Sequence, residues 1–271
     1  MQDASPTRRP AVLVLGMHRS GTSALTRVLS LHGLTLPARV MQPAPDNPRG
    51  FWESAAVAAL DDRILAAAGS RYDDPRPLPP GLLPDAEREA FIAEALALLG
   101  TEFPGTDPFV LKDPRICRLL DVWRPALERF GAAPLALLPV RNPLEVVRSL
   151  EARQQMPKAQ ALLLWLSHVV AAEQGSRGLP RAVVHYDDLL RDWRGFLARL
   201  GVPVLRDTAL ETVAFLTPAL RHHEADTDTL LRDAEVPAAV KRVYAELRRA
   251  PAEPGLDPEP FDAAAAWLAT A

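Results

Sequence analysis

The chain has 271 residues, 48% hydrophobic and 24% charged, which gives enough apolar side chain for one large or two small cored domains and excludes the polar composition of a disordered chain. Thirty-one Lys and Arg against 34 Asp and Glu leave a net charge of -3, so a general nucleic-acid coat is excluded and any anion site must be local. The single Cys117 excludes an internal disulfide framework, and no Cys and His series has the spacing of a structural zinc site.

A soluble protein in a reducing, cytoplasmic compartment is expected. No window approaches the roughly 20 apolar residues of a membrane span, and the apolar run after Arg8 and Arg9 is too short for a signal peptide.

Ala11, Val12, Leu13, Val14 and Leu15 form a continuous apolar run, the pattern of a strand buried on both faces of a parallel sheet. Helical spacing follows at Leu25, Val28, Leu29 and His32, with Gly33 as a stop. The alternation returns three times: a strand over 109–111 and a helix through Leu120 and Leu127, a strand over 135–140 and a helix from Pro143, and a strand over 182–185 and a helix through Leu200.

Between them, residues 74–84 contain five prolines and read as a loop, and 85–100 as an Ala/Leu-rich helix. Helices are expected over 237–249 and 260–269, with no clear further strand. The chain is therefore read as a single α/β domain over 1–271, a parallel sheet flanked by helices, with 1–10 a flexible tail and 71–84 a Pro-rich loop inserted in the domain.

The most informative segment runs from Gly16 to Ser23, between the first strand and the first helix. A glycine turn there lets backbone N–H groups converge on a phosphate, and the helix N-terminus adds a favourable dipole. Against the nucleotide-triphosphatase pattern G-x-x-x-x-G-K-[ST], both glycines align, but Thr22 stands where the lysine belongs and the cation has moved to Arg19. That displacement implies a leaving group other than the Mg²⁺-bound phosphates of a triphosphatase. An ordinary strand-to-helix turn with Arg19 on the surface is the structural alternative.

A second constellation begins at Arg141, at a strand's carboxyl end where open α/β sheets bind ligands. Asn142 is the expected N-cap, Pro143 the first helical residue, Glu145 the capping-box partner, and Ser149 follows on the helix.

Between the first helix and the Pro-rich loop, residues 46–53 hold turn formers, then Phe51, Trp52 and Glu53. A carboxylate can take a hydroxyl proton, with Glu53 the first candidate and Asp46 the second; a dipole contact for Glu53 and an Asx turn for Asp46 are the plain alternatives. Lys112 follows the second strand and suits oxygen-bearing groups, while Asp113 reads as a cap before Pro114. Adjacent His222, His223 and Glu224 diverge too much for one metal, and Leu162, Leu163, Leu166, Val169 and Val170 beside Trp165 read as a core stripe.

The segment Arg19, Ser20, Gly21, Thr22, Ser23 resembles the 5′-phosphosulfate loop of sulfotransferases that use 3′-phosphoadenosine 5′-phosphosulfate (PAPS). Arg141 and Ser149 match the family's strand-end Arg and the Ser eight residues on, which bind the 3′-phosphate. Tyr186, in a phrase similar to the family's Tyr-Glu-Asp-Leu, is implied at the adenine.

The resemblance leans toward bacterial and carbohydrate-directed members, with a P-loop-like three-layer fold. No His stands where cytosolic aryl and steroid members keep their base, and the C-terminal Arg-Lys-Gly-x-x-Gly segment is absent; Arg221 or another basic residue is left to replace it. The implied activity is sulfuryl transfer from PAPS to an acceptor hydroxyl, for instance of a carbohydrate, with Glu53 or Asp46 as base, Arg19 and Lys112 at the sulfuryl oxygens, and no metal. No nucleic-acid partner is expected, and the oligomeric state is left open. A small-molecule kinase with an unusual P-loop and a non-catalytic nucleotide-binding module remain as alternatives.

Overall fold

The computed structural model describes residues 8–44, 47–78, 81–200, 208–216, 225–249 and 255–270. Strands β1 (Arg9–Val14), β2 (Phe109–Lys112), β3 (Ala132–Val140) and β4 (Arg181–His185) form one parallel sheet in the order β2-β1-β3-β4. Side chains alternate across it as the pleat requires. Ala11 and Leu13 of β1 join Phe109 and Leu111 on one face, whereas Val12 and Val14 join Val110, Leu137 and Val184 on the other.

The first face is covered by α2 (Ala55–Ala67), α3 (Asp85–Glu102) and α4 (Leu120–Arg129), and the second by α1 (Thr22–Leu31), α7 (Tyr186–Arg191) and α8 (Trp193–Leu200). The expected α/β sheet flanked by helices is thus a three-layer arrangement. Full burial of Leu25, Val28 and Leu29 on α1, at about 1.5–3 kcal/mol per side chain, fixes that helix on the sheet. A further core joins α5 (Pro143–Gln154), α6 (Lys158–Gly175), α11 (Ala238–Arg249) and α12 (Glu259–Leu268). The Leu162 to Val170 stripe packs there around Trp165, as a core face.

Several boundaries differ from the sequence reading. β1 starts at Arg9, so the expected tail over 1–10 gives up two residues to the sheet. Arg9 is held by hydrogen bonds to the carbonyls of Asp107 and Phe103, and its guanidinium lies 4.6 Å from the Phe109 ring centre. Residues 1–7 lie outside the described residues.

The helix expected through Leu200 is two helices, because the Asp192 carboxylate accepts from the Gly195 N–H at 2.9 Å and starts α8 afresh. Two short helices, α9 (Ala209–Phe215) and α10 (Thr227–Arg232), carried too little periodic pattern to be expected. The Pro-rich loop is a loop where described, tied down by Arg118, which donates to the carbonyls of Arg71 and Arg76.

Strand order positions the site. From β1 the chain crosses to β2 on one side, then returns past β1 to β3 on the other, so the turns leaving β1 and β3 diverge. The crevice between their carboxyl ends is the switch point at which such sheets bind ligands.

Candidate functional site

At the carboxyl end of β1 the chain turns through Gly16 to Gly21 and enters α1 at Thr22. Both glycines have a steric cause. A Cβ on Gly16 would lie 2.5 Å from Pro139 Cγ of β3, and one on Gly21 would lie 2.3 Å from the Tyr186 ring, with φ at +85° besides. Arg19 also adopts a left-handed backbone, φ 68°, uncommon for a residue with a Cβ and a sign of a turn held in shape by its surroundings.

The hydroxyl of Ser20 is buried without a partner among the described residues. The first turn of α1 adds N–H groups that a helix cannot satisfy internally. Such a cradle fits a phosphate or sulfate group.

The second constellation closes on the first. Arg19 Nε donates to Ser149 Oγ at 2.8 Å, and an Arg141 terminal nitrogen donates to the Arg19 carbonyl at 3.3 Å. Asn142 caps α5 by accepting from the Leu144 N–H at 3.0 Å, and Pro143 is its first residue, as expected.

Glu145 departs from the expectation of a capping box. Its carboxylate binds Arg141 Nε at 2.6 Å and the Ala225 N–H at 3.0 Å, because the buried guanidinium beside it is a stronger partner than the cap's own amide. The Arg141 guanidinium lies 5.1 Å from the centre of the Tyr186 ring. Burial, opposed by Arg141, raises the Tyr186 pKa and keeps its hydroxyl protonated. Tyr186 thus packs against the glycine turn and Arg141 while its ring also belongs to the core on that face of the sheet.

A cavity of about 200 Å³ opens beside the turn, lined by His18, Arg19, Ser23, Glu53, Tyr72 and Lys112 among others. Lys112, at the end of β2, and Glu53 form a buried ion pair. The ammonium also donates to the Phe51 carbonyl at 3.0 Å and reaches Ser23 Oγ at 3.4 Å. Ser54, not Glu53, caps α2, which leaves the Glu53 carboxylate turned toward Lys112. Burial raises the Glu53 pKa; Lys112 opposes that and Asp113 adds to it.

Asp113 is the expected cap, accepting from the Arg115 N–H at 2.8 Å and pairing with the Arg115 side chain. Asp46, Arg221, His222, His223 and Glu224 lie outside the described residues.

The structure therefore brings together Arg19, Ser20, Gly21, Thr22, Ser23, Arg141, Ser149 and Tyr186 at the switch point, with Glu53 and Lys112 in the adjoining cavity. Sequence reasoning did not single out His18 or Tyr72, which line that cavity. A loop histidine carries no periodicity that shows where its ring points, and Tyr72 falls in the 71–84 loop, which the sequence marks only by its prolines. Two other hollows, of about 260 and 270 Å³, lie beside β4 and beside Cys117 and hold none of the expected site residues. Among the described residues no helix is long and apolar enough to cross a membrane.

Comparison with solved structures finds similarity to the sulfotransferase domain from the Synechococcus PCC 7002 olefin synthase, at 15% identity and a TM-score of 0.47 over 98% of this chain and 97% of that one. The sulfotransferase domain from the curacin biosynthetic pathway is similar at 14% identity and 0.45, over 97% and 98%. No family model and no curated protein matches the chain. At such values the likeness carries no functional argument, which rests on the site residues themselves.

Proposed function

We propose that the protein is a sulfotransferase that moves a sulfuryl group from PAPS to the hydroxyl of an acceptor. The observation that carries this reading is the meeting of two anion-binding elements: Arg19, in the turn after β1, bonds Ser149 on α5 while Arg141 reaches the Arg19 backbone. A donor with a phosphosulfate at one end and a 3′-phosphate at the other presents two separated anions, which suits such a pair. Thr22 in place of the P-loop lysine argues against ATP as the donor.

In this reading the turn amides, Ser20 and Arg19 hold the phosphosulfate, Arg141 and Ser149 the 3′-phosphate, and Tyr186 lies at the adenine. The acceptor oxygen attacks sulfur as the bond from sulfur to the 5′-phosphate oxygen breaks, giving a sulfate ester and 3′-phosphoadenosine 5′-phosphate (PAP). Glu53 takes the acceptor's proton, and its raised pKa makes it a stronger base than an exposed glutamate. Lys112 sits beside it with a charge for the sulfuryl oxygens, and Arg19 stabilises charge on the departing phosphate. No step calls for a metal.

The test is product analysis. Purified protein incubated with PAPS and a hydroxyl panel is expected to release PAP together with an acceptor heavier by one sulfuryl group, read by mass spectrometry. Phosphorylated acceptor from ATP and Mg²⁺, with no product from PAPS, would establish the kinase reading in its place.

A further inference from the structure

The cavity beside the turn presents polar and apolar surface in about equal measure, and several of its polar side chains already have hydrogen-bond partners. Lys112 is taken by Glu53, Phe51 and Ser23. Arg115 is taken by Asp113 and Asp62, and the Asn47 amide donates to the Gly50 carbonyl.

His18 differs. Its Nε2 is enclosed and has no partner among the described residues. The ring is fixed between two edge contacts, with Tyr72 at 5.8 Å and 69° and with His168 at 5.8 Å and 70°. An unmet buried polar atom of this kind costs about 1–3 kcal/mol, a cost relieved when a ligand supplies the missing bond.

We infer that His18 Nε2 is a hydrogen-bonding contact for the acceptor, reading a second hydroxyl near the one that reacts, so that the acceptors are diols or polyols and not simple alcohols. The inference rests on the sulfuryl-transfer reading and deepens it. Burial, His168 and the cations Arg115, Lys112 and Arg153 hold the His18 pKa well below its ordinary value. The ring is therefore neutral at physiological pH, suited to an uncharged hydroxyl, and Glu53 remains the proton acceptor. A volume of about 200 Å³ admits a small molecule or the reacting end of a larger one. His168 also has an Nε2 without a partner, so a buried water joining the two rings is the competing explanation that a test must separate.

The test uses PAPS as donor with cyclohexanol, trans-1,2-cyclohexanediol and myo-inositol as acceptors, and PAP binding as an independent readout. The wild type is expected to favour at least one of the two polyhydroxylated acceptors over cyclohexanol by about tenfold or more in kcat/KM, since a site built to bond a hydroxyl rejects the analogue lacking it. His18→Phe should abolish that preference, chiefly through KM, and His18→Gln should restore part of it, both with PAP affinity kept and with no loss of melting temperature.

His168→Leu should leave the preference in place. Loss of the preference in His168→Leu as in His18→Phe would assign both rings to packing or to a shared water and overturn the inference. A wild type without preference, a preference surviving in His18→Phe, or PAP binding with none of the three alcohols sulfated would overturn it too, leaving the donor reading intact. Absence of PAP binding would overturn both.

Discussion

At the scale of single residues, Arg19 and Glu53 divide the proposed chemistry between leaving group and nucleophile. Arg19→Ala is expected to lower kcat by about 10²–10³-fold, the range found when one preorganised donor to developing charge is removed, while weakening PAP far less. Steady-state rates set beside calorimetric PAP affinities check this, and an unchanged kcat would remove Arg19 from the mechanism.

Glu53 must be deprotonated to accept a proton, so kcat/KM should rise with pH through its raised pKa. The acid limb then lies above the ordinary glutamate value of about 4.3. A pH–rate profile tests this, with Glu53→Gln expected to lose turnover yet retain PAP binding. An acid limb at the ordinary value would mean another group titrates.

At the scale of elements, the site depends on how strand ends are tied to the turns facing them. Lys112 at the end of β2 joins the segment ending at Glu53 through a pair whose side chains are only 3% and 7% exposed. Removing one partner strands a buried charge. Lys112→Met is therefore expected to cost about 3–5 kcal/mol of stability, read by urea denaturation at neutral pH, and the double variant with Glu53→Gln should recover part of it. Equal loss in single and double variants would show that the pair adds no coupling.

Much of this level was legible in the sequence. Apolar runs at residues 11–15, 109–111, 135–140 and 182–185 mark strands buried on both faces, and Asn142 with Pro143 marks the start of α5. What escaped was set by tertiary partners. Glu145 turns to Arg141 and Ala225 in place of its own cap, and Tyr186 packs on a glycine 165 positions earlier in the chain. The orphaned nitrogen of His18 arises from a ring enclosed by distant segments, which local patterns do not report.

At the scale of the whole molecule, buried titratable groups pull stability in opposite directions with pH. His168 donates its Nδ1 proton to the Leu164 carbonyl, and burial lowers its pKa to about 3. Below about pH 6.5 the unfolded chain binds a proton there that the folded chain refuses, so this group's contribution is full above 6.5 and is lost as pH falls toward 3. Buried Asp61 and Glu53, with raised pKa values, act in the reverse sense, so a variant difference is cleaner than the melting curve alone. The stability gap between wild type and His168→Leu is expected to shift in favour of the variant by on the order of 2 kcal/mol from pH 7 to pH 4.5. Urea midpoints at the two pH values read it, and a constant gap would mean that His168 is not held neutral by burial.

The switch-point crevice is where sheet topology, the glycine turn and the second arginine converge, and a nucleotide with two separated anions is what that convergence is proposed to bind. Calorimetric titration of the purified chain with PAP, with adenosine 5′-monophosphate, which is PAP without the 3′-phosphate, and with ATP plus Mg²⁺ tests it most directly. PAP is predicted to bind tightest, and Arg141→Ala to erase its advantage over the monophosphate. Tighter binding of ATP with Mg²⁺, or equal affinity with and without the 3′-phosphate in the wild type, would contradict the account.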